Sequence, residues 1–313
     1  MDTISASCFH VAMLSVQDMP GMPLLEPAIN IKSVVEDIVR CQAMQNPLSV
    51  IRLGDGEGAI LGYGRYFSLD DINKILRIWF HDQAVTEAVV LELQSDLQCA
   101  IRSADIIGIP NVRRQRRERF CYAISVCLPS MFEESGLEGP KYADAAIHQF
   151  LQFGLFFNFF MRDKDYCGVI SARNLELPVK EAFNIERVEL FEVPGCRIAP
   201  NGMNAKLSHY PERFNELKRA LKVPLNGAPF LIGAGLFGKT YCHWIKERGG
   251  IALDVGSLLD GWAGLSTRPR QRKHPHIYSL SPYKKFTISS WSDAVSRYND
   301  ICRELSIPAP IIS

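Results

Sequence analysis

Two carboxylates, Asp55 and Glu57, stand two residues apart in the run Arg52-Leu-Gly54-Asp55-Gly56-Glu57-Gly58, directly after the apolar stretch 48–53. Carboxylate oxygen is the preferred ligand of hard cations, and Mg²⁺ takes one or two protein carboxylates and completes its shell with water and substrate phosphate. The pair could share one Mg²⁺ or Mn²⁺ and present it to a phosphate. Gly54, Gly56 and Gly58 lack a Cβ and let the backbone approach a bulky anion, with Arg52 beside them at the strand end. An ordinary strand-to-helix turn in which Asp55 caps the next helix fits the bare Asp-x-Glu pattern equally well.

A second stretch could do phosphate chemistry. Residues 229–240, Pro-Phe-Leu-Ile-Gly233-Ala-Gly235-Leu-Phe-Gly238-Lys239-Thr240, read as strand, glycine loop and helix start. They satisfy both G-x-G-x-x-G and G-x-x-x-x-G-K-[ST], patterns in which glycines bring backbone N–H groups and a helix N-terminus against an anion. The alternative is a tight turn that is glycine-rich for structural reasons alone. Residues 249–256 read as the following strand, ending in Asp254 and Gly256, and an acid there suits a ribose hydroxyl. Only 59 residues follow Asp254, too few for a dinucleotide-binding domain that opens with this motif. A P-loop nucleotide hydrolase or kinase stays open as a second reading, with Lys239 on the β- and γ-phosphates, Thr240 on Mg²⁺ and Asp254 as the acid of an adjacent strand. A non-catalytic nucleotide-binding module is the third.

Alternating elements must position these groups. Apolar periodicity predicts helices over 31–43, 69–80, 83–102, 142–161, 174–183, 205–221 and 237–248, and strands over 48–53, 104–109, 166–171, 187–193, 230–233 and 251–255. Strand and helix alternate, so the expected fold class is α/β: a mainly parallel, doubly wound, Rossmann-like sheet flanked by helices. No repeat, low-complexity tract or linker stands out. The expectation is an N-terminal arm over 1–27 and a single domain over 28–313 with an irregular C-terminal tail.

Composition narrows the class. The chain has 313 residues, 47% hydrophobic and 22% charged, enough for a large α/β core. A net charge of +1 argues against a general nucleic-acid binder. Nine cysteines without CxxC spacing read as reduced thiols, and residues 1–26 lack a basic segment ahead of an apolar core, so the expected location is cytoplasmic. The apolar stretch 150–161 holds Gln152 and Asn158 and is too short for a membrane span. Oligomeric state is open, a homo-oligomer included.

Three cationic features stand out: two at expected strand ends, the run 113–119 and Arg173, and one, the run 268–273, that could be a lid over phosphates or a polar loop. Residues 113–119 carry five arginines and residues 268–273 carry four further cations; each could grip a phosphate or simply face solvent. Arg173 follows the strand 166–171 and is a candidate to face the pocket. No G-x-S-x-G elbow or H-E-x-x-H zinc pattern is present, and each lone histidine reads as a packing or surface residue.

The ordered series Ser49-Val-Ile-Arg52-Leu-Gly-Asp55-Gly-Glu57, Ile107-Gly108-Ile109-Pro110 and Ala252-Leu-Asp254-Val-Gly256-Ser resembles the GT-D fold glycosyltransferases, first described as a bacterial domain of unknown function. The resemblance spans roughly residues 30–270. It implies a metal and nucleotide-sugar site at Asp55 and Glu57, with Gly233, Gly235, Gly238, Lys239, Asp254 and Gly256 on the nucleotide. It further implies Mn²⁺ or Mg²⁺, a nucleoside-diphosphate sugar donor such as a UDP-sugar, and a glycan or glycoconjugate acceptor in surface polysaccharide or glycoprotein assembly. After Gly256 the first-described members carry His and an acidic-aromatic stretch, where this chain has Ser257-Leu-Leu-Asp260-Gly-Trp262. Asp260 is the candidate general base of such a transferase, beside Trp262, whose ring could stack on a sugar or pack in the core.

Overall fold

The computed structural model describes residues 24–196 and 209–307. Seven strands form one sheet: β1 Leu48–Arg52, β2 Ile106–Ile109, β3 Lys141–Asp144, β4 Tyr166–Ser171, β5 Arg187–Glu192, β6 Pro229–Gly233 and β7 Ile251–Asp254. Their order is β3-β2-β1-β7-β6-β4-β5, and every pairing is parallel. Both faces of the sheet must then be covered, so the central strands read as continuous apolar runs. In β1, Ile51 points into one core layer and Leu48 and Val50 into the other; in β6, Phe230 and Ile232 divide from Leu231 in the same way.

Connections decide which face each helix covers. After β1 the chain runs through α2 Asp55–Leu61, α3 Leu69–Leu76 and α4 Glu87–Ser103, and after β2 through α5 Val112–Arg117 and α6 Arg119–Ser135. The buried residues of α2, α3, α4 and α6 enter the first layer, joined by α10 Phe214–Ala220 and α11 Gly238–Glu247. The second layer takes α1 Ile31–Ala43, α7 Ile147–Phe153, α8 Asn158–Met161, α9 Glu176–Phe183 and, after β7, α12 Leu258–Trp262. The short α13 Pro269–Lys273 leads on to α14 Ser281–Lys285 and α15 Trp291–Glu304, which close that layer.

Three expectations differ from this structure. The helix expected over 142–161 is β3, α7 and α8, because Leu155 adopts a left-handed φ of 54° between two short helices. The 17-residue α6 is not among the helices that the sequence predicts: its buried side chains lie nearly all round its first turns and Pro129 stands inside it, so it shows little periodicity. The tail before residue 308 is not irregular, since α15 buries Ala294, Tyr298, Ile301 and Cys302 and is capped by Ser290 and Asp293. The arm expected over 1–27 and the last residues of the tail lie almost wholly outside the described residues.

Candidate active site

Topology singles out one place. The connections after β1 and β6 leave onto the first layer, whereas the connection after β7, which lies between them, leaves onto the second. Loops that part to opposite faces at the carboxyl ends of adjacent parallel strands open a crevice, the usual ligand position of open α/β sheets. Arg52, Asp254 and Gly233 end the three strands that border it.

The floor of the crevice is a buried ionic cluster. Arg52 donates through Nε to the Asp254 carbonyl at 2.7 Å and through Nη2 to Asp254 Oδ1 at 3.0 Å. Lys239, in the first turn of α11, places Nζ 2.7 Å from Glu57 Oε1 and 3.1 Å from Asp254 Oδ2, and donates to the Gly235 carbonyl at 3.1 Å. Among the described residues, Lys239 is the cation that faces Asp254 Oδ2. Glu57 closes the ring by accepting the Gly54 N–H on Oε2 at 2.8 Å. Two cations meet two carboxylates, so the cluster is neutral, as charges removed from water must be. Burial opposes the charged form of Lys239, but Asp254 and Glu57 outweigh it and hold the ammonium above its ordinary value. Burial likewise opposes the Asp254 carboxylate, while Arg52 and Lys239 hold it below the usual range.

His148, which sequence reasoning treated as a packing residue, touches this cluster. Arg52 Nη1 lies 3.0 Å from His148 Nδ1 and 3.3 Å from the Ala145 carbonyl. Burial, with the charge of Arg52, drives the imidazole well below its ordinary value, so the ring is neutral near pH 7. Asp144 ends β3 beside it, and burial raises its carboxyl. Arg114 lies close enough for its charge to act on both Asp144 and Asp55.

The Asp-x-Glu segment is the first turn of α2 and not an open glycine turn. Gly54 is its N-cap, and Glu57 at the third helical position reaches back to it, half of a capping box. Residues two apart on a helix do not face each other. Glu57 has both oxygens engaged, whereas Asp55 is half-buried and, among the described residues, has no hydrogen bond or ion pair. Of the two expected metal ligands, Asp55 is therefore the carboxylate that can accept an ion together with phosphate oxygens and water. Among the described residues no group of three or more His, Cys, Asp and Glu side chains is placed to hold a metal.

Gly233, Gly235 and Gly238 line the adjacent turn, a single 3₁₀ turn Gly235–Phe237 running into α11. Gly235 has φ of 57°, and a Cβ there would lie 2.4 Å from Trp79 Nε1. Gly256 has φ of 52°, and its Cβ would lie 2.2 Å from Arg52 Nη2. Both glycines are thus required by the protein's own packing. Lys239, the residue a P-loop would aim at phosphate, points into the cluster instead.

Asp260 and Trp262 sit on α12, in the second layer. Arg173 Nε donates to Asp260 Oδ1 at 2.7 Å and Thr267 Oγ1 to Oδ2 at 2.8 Å, so both oxygens of the candidate base are held. Trp262 is buried against Phe157 and Phe183 and donates its indole N–H to Gln152, which makes it a core residue and not a sugar platform. In the first basic run, Arg114 pairs with Glu118 and Arg119 with Asp71, while Arg113, Arg116 and Arg117 are exposed. Arg268 in the second run is exposed and close enough to His148 for its charge to act on the ring.

In comparison with known families, the model of the GT-D fold-like domain matches residues 29–262. That span holds every candidate named above except those of the second basic run. No curated protein and no solved structure matches the chain.

Proposed function

The chain belongs to the GT-D fold-like family, and from that premise we propose that it is a glycosyltransferase that moves a sugar from a nucleoside-diphosphate donor to the hydroxyl of a glycan or glycoconjugate. The observation that supports this reading best is the crevice at the ends of β1, β7 and β6, where two glycine turns flank a neutral buried cluster. Surface polysaccharide or glycoprotein assembly in the cytoplasm is the context that fits such a reaction.

The residues divide the work as follows. The cluster of Arg52, Asp254, Lys239 and Glu57 fixes the turns at the ends of β1, β7 and β6 relative to one another, so the donor meets preformed backbone N–H groups. Asp55 would hold Mg²⁺ or Mn²⁺, whose chemistry is to neutralise charge on the departing diphosphate. Arg114 places positive charge near Asp55. Asp260 holds Arg173 and Thr267 on its two oxygens and keeps a further lone pair on each for a proton from the acceptor.

Binding of a folded-state ligand raises the melting temperature, by about 2.7 kcal/mol of stability at a hundredfold excess over Kd. For a chain of this length that is a shift of roughly 4 °C. A thermal-shift panel of UDP-, GDP- and CDP-sugars with and without Mn²⁺ therefore tests the reading. Stabilisation by one sugar nucleotide class, with transfer or slow hydrolysis of that donor, is the expected result. Lack of response to every sugar nucleotide, together with robust Lys239-dependent ATP or GTP hydrolysis, would overturn it.

A further inference from the structure

The first turn of α2 and the glycine turn after β6 converge on one side chain that the cluster does not use. A Cβ on Gly56, in α2, would lie 2.8 Å from Trp79 Cη2 and 3.2 Å from Cζ3, on the benzo edge of the indole. A Cβ on Gly235 would lie 2.4 Å from Nε1 and 3.1 Å from Cδ1, on the pyrrole edge. The long axis of the ring thus bridges the turn after β1 and the turn after β6, two strands separated in the sheet by β7. Lys239 bridges the same two turns, from Glu57 Oε1 to the Gly235 carbonyl. An indole and an ammonium therefore span one gap.

Trp79 differs from a core tryptophan. Trp244 and Trp262 are buried at 4% and 5% exposure, whereas Trp79 is only partly covered. The indole N–H of Trp262 is hydrogen-bonded to Gln152; among the described residues that of Trp79 has no hydrogen-bond partner. The segment that carries it ends α3 and turns back through His81 and Asp82, both left-handed, while the neighbouring Phe80 anchors it against Tyr210 and Phe237. Trp79 and Phe80 both pack against the first core layer, and the indole abuts Gly56 and Gly235 at the edge of the crevice.

A flat ring, partly buried against the first core layer and partly exposed, with an unused donor and seated where two glycines make room for it, has the chemistry to recognise a nucleoside diphosphate: a face for the base or ribose and an N–H for a phosphate oxygen. We propose that Trp79 is a donor-binding residue, its indole forming the wall of the crevice that closes on the nucleoside diphosphate. This rests on the donor class proposed above.

The test titrates the wild-type protein, Trp79→Phe and Trp79→Ala with uridine, guanosine and cytidine diphosphates, with and without Mn²⁺. Calorimetry gives affinity, tryptophan fluorescence reports the ring, and the melting temperature reports the fold. Loss of an aromatic stacking partner costs about 10- to 100-fold in affinity. Trp79→Ala should weaken the bound nucleotide by that factor. Trp79→Phe, which keeps a ring face and loses the N–H, should fall between it and the wild type and also retain folding if Trp79→Ala does not. The fluorescence change that the nucleotide causes in the wild type should vanish in Trp79→Phe. Wild-type affinity in folded Trp79→Phe, with the fluorescence change retained, overturns the assignment of Trp79 alone. A wild-type protein that binds no nucleoside diphosphate overturns the donor reading and this inference together.

Discussion

Lys239→Met is the perturbation that probes the floor of the crevice most directly. Methionine has a similar length and no charge, so it fills the space but leaves Glu57 and Asp254 facing each other across it, with Arg52 as the remaining cation of the cluster. Breaking a buried pair by removing one partner typically costs about 3–5 kcal/mol. Domain stabilities are only about 5–15 kcal/mol, so this is a large fraction of the total. At roughly 2.1 cal/mol/K of unfolding entropy per residue, the loss corresponds to a fall in melting temperature of about 5–8 °C. The sign with pH follows from the two shifts. Lys239 is held above its ordinary value, so its contribution is fully present below the unfolded lysine pKa and is lost as pH rises through the folded one. Asp254 is held below its ordinary value, so its contribution is present above the unfolded aspartate pKa and is lost as pH falls through the folded one. Near pH 7 both act, and the variant should show its full deficit there. Urea denaturation of wild type, Lys239→Met, Glu57→Gln and the double variant at pH 7 measures it. Neutralising Glu57 as well should recover part of the loss, because one stranded carboxylate is removed. A single-variant loss under about 1 kcal/mol, the value of an exposed pair, would refute the cluster as a structural unit.

Other expectations follow from the same geometry. Asp55→Asn should leave the melting temperature nearly unchanged yet reduce turnover on the order of 10²-fold, whereas Glu57→Ala should lower stability first, since it strands Lys239 and uncaps α2; thermal melts beside donor assays separate the two, and equal melting temperatures would contradict the division of roles. Gly235→Val should destabilise strongly, because a branched residue is strained at positive φ and its Cβ meets Trp79; a variant that melts like wild type would show that the turn relaxes freely. His148 is held neutral well below its ordinary value, so the unfolded state binds the extra proton and stability should decline as pH falls below about 6.5; His148→Asn should flatten that slope, read from urea midpoints between pH 7 and 5, and an unchanged slope would place the dependence elsewhere.

Much of the fold was legible because the signals were local and strong. Each of the six expected strands is present, since runs such as Val50-Ile51 and Leu231-Ile232 are buried on both faces and bounded by turn residues. What failed has physical causes. The edge strand β3 buries only Ala143 fully, with Lys141 exposed and Tyr142 and Asp144 in between, and pairs with another strand on one side only, so its sequence carries little apolar signal. The helix α6 is buried nearly all round over its first turns, which erases the amphipathic period. The pairing of Ser290 with Asp293 and the spacing of Ala294, Tyr298 and Ile301 did announce α15, and a reading that looked for caps in the tail would have found it.

The site was legible as a set of residues and not as a set of contacts. Arg52, Glu57, Lys239 and Asp254 were all candidates, yet each was expected to face a ligand or ion, and the structure turns them on one another. Sequence spacing cannot show this: Glu57 and Lys239 are brought together because β1 and β6 flank β7, a strand order that no local pattern records. The glycine turns carry the same ambiguity. A glycine that clears space for phosphate and one that clears space for an indole look identical in a sequence, and Trp79 lies outside every motif that was read. Its role could have been inferred only by asking what fills the room that Gly56 and Gly235 leave. The two uses are not exclusive, because a ring already seated between the turns, partly exposed and with its N–H unspent, is placed to meet whatever enters the crevice after it.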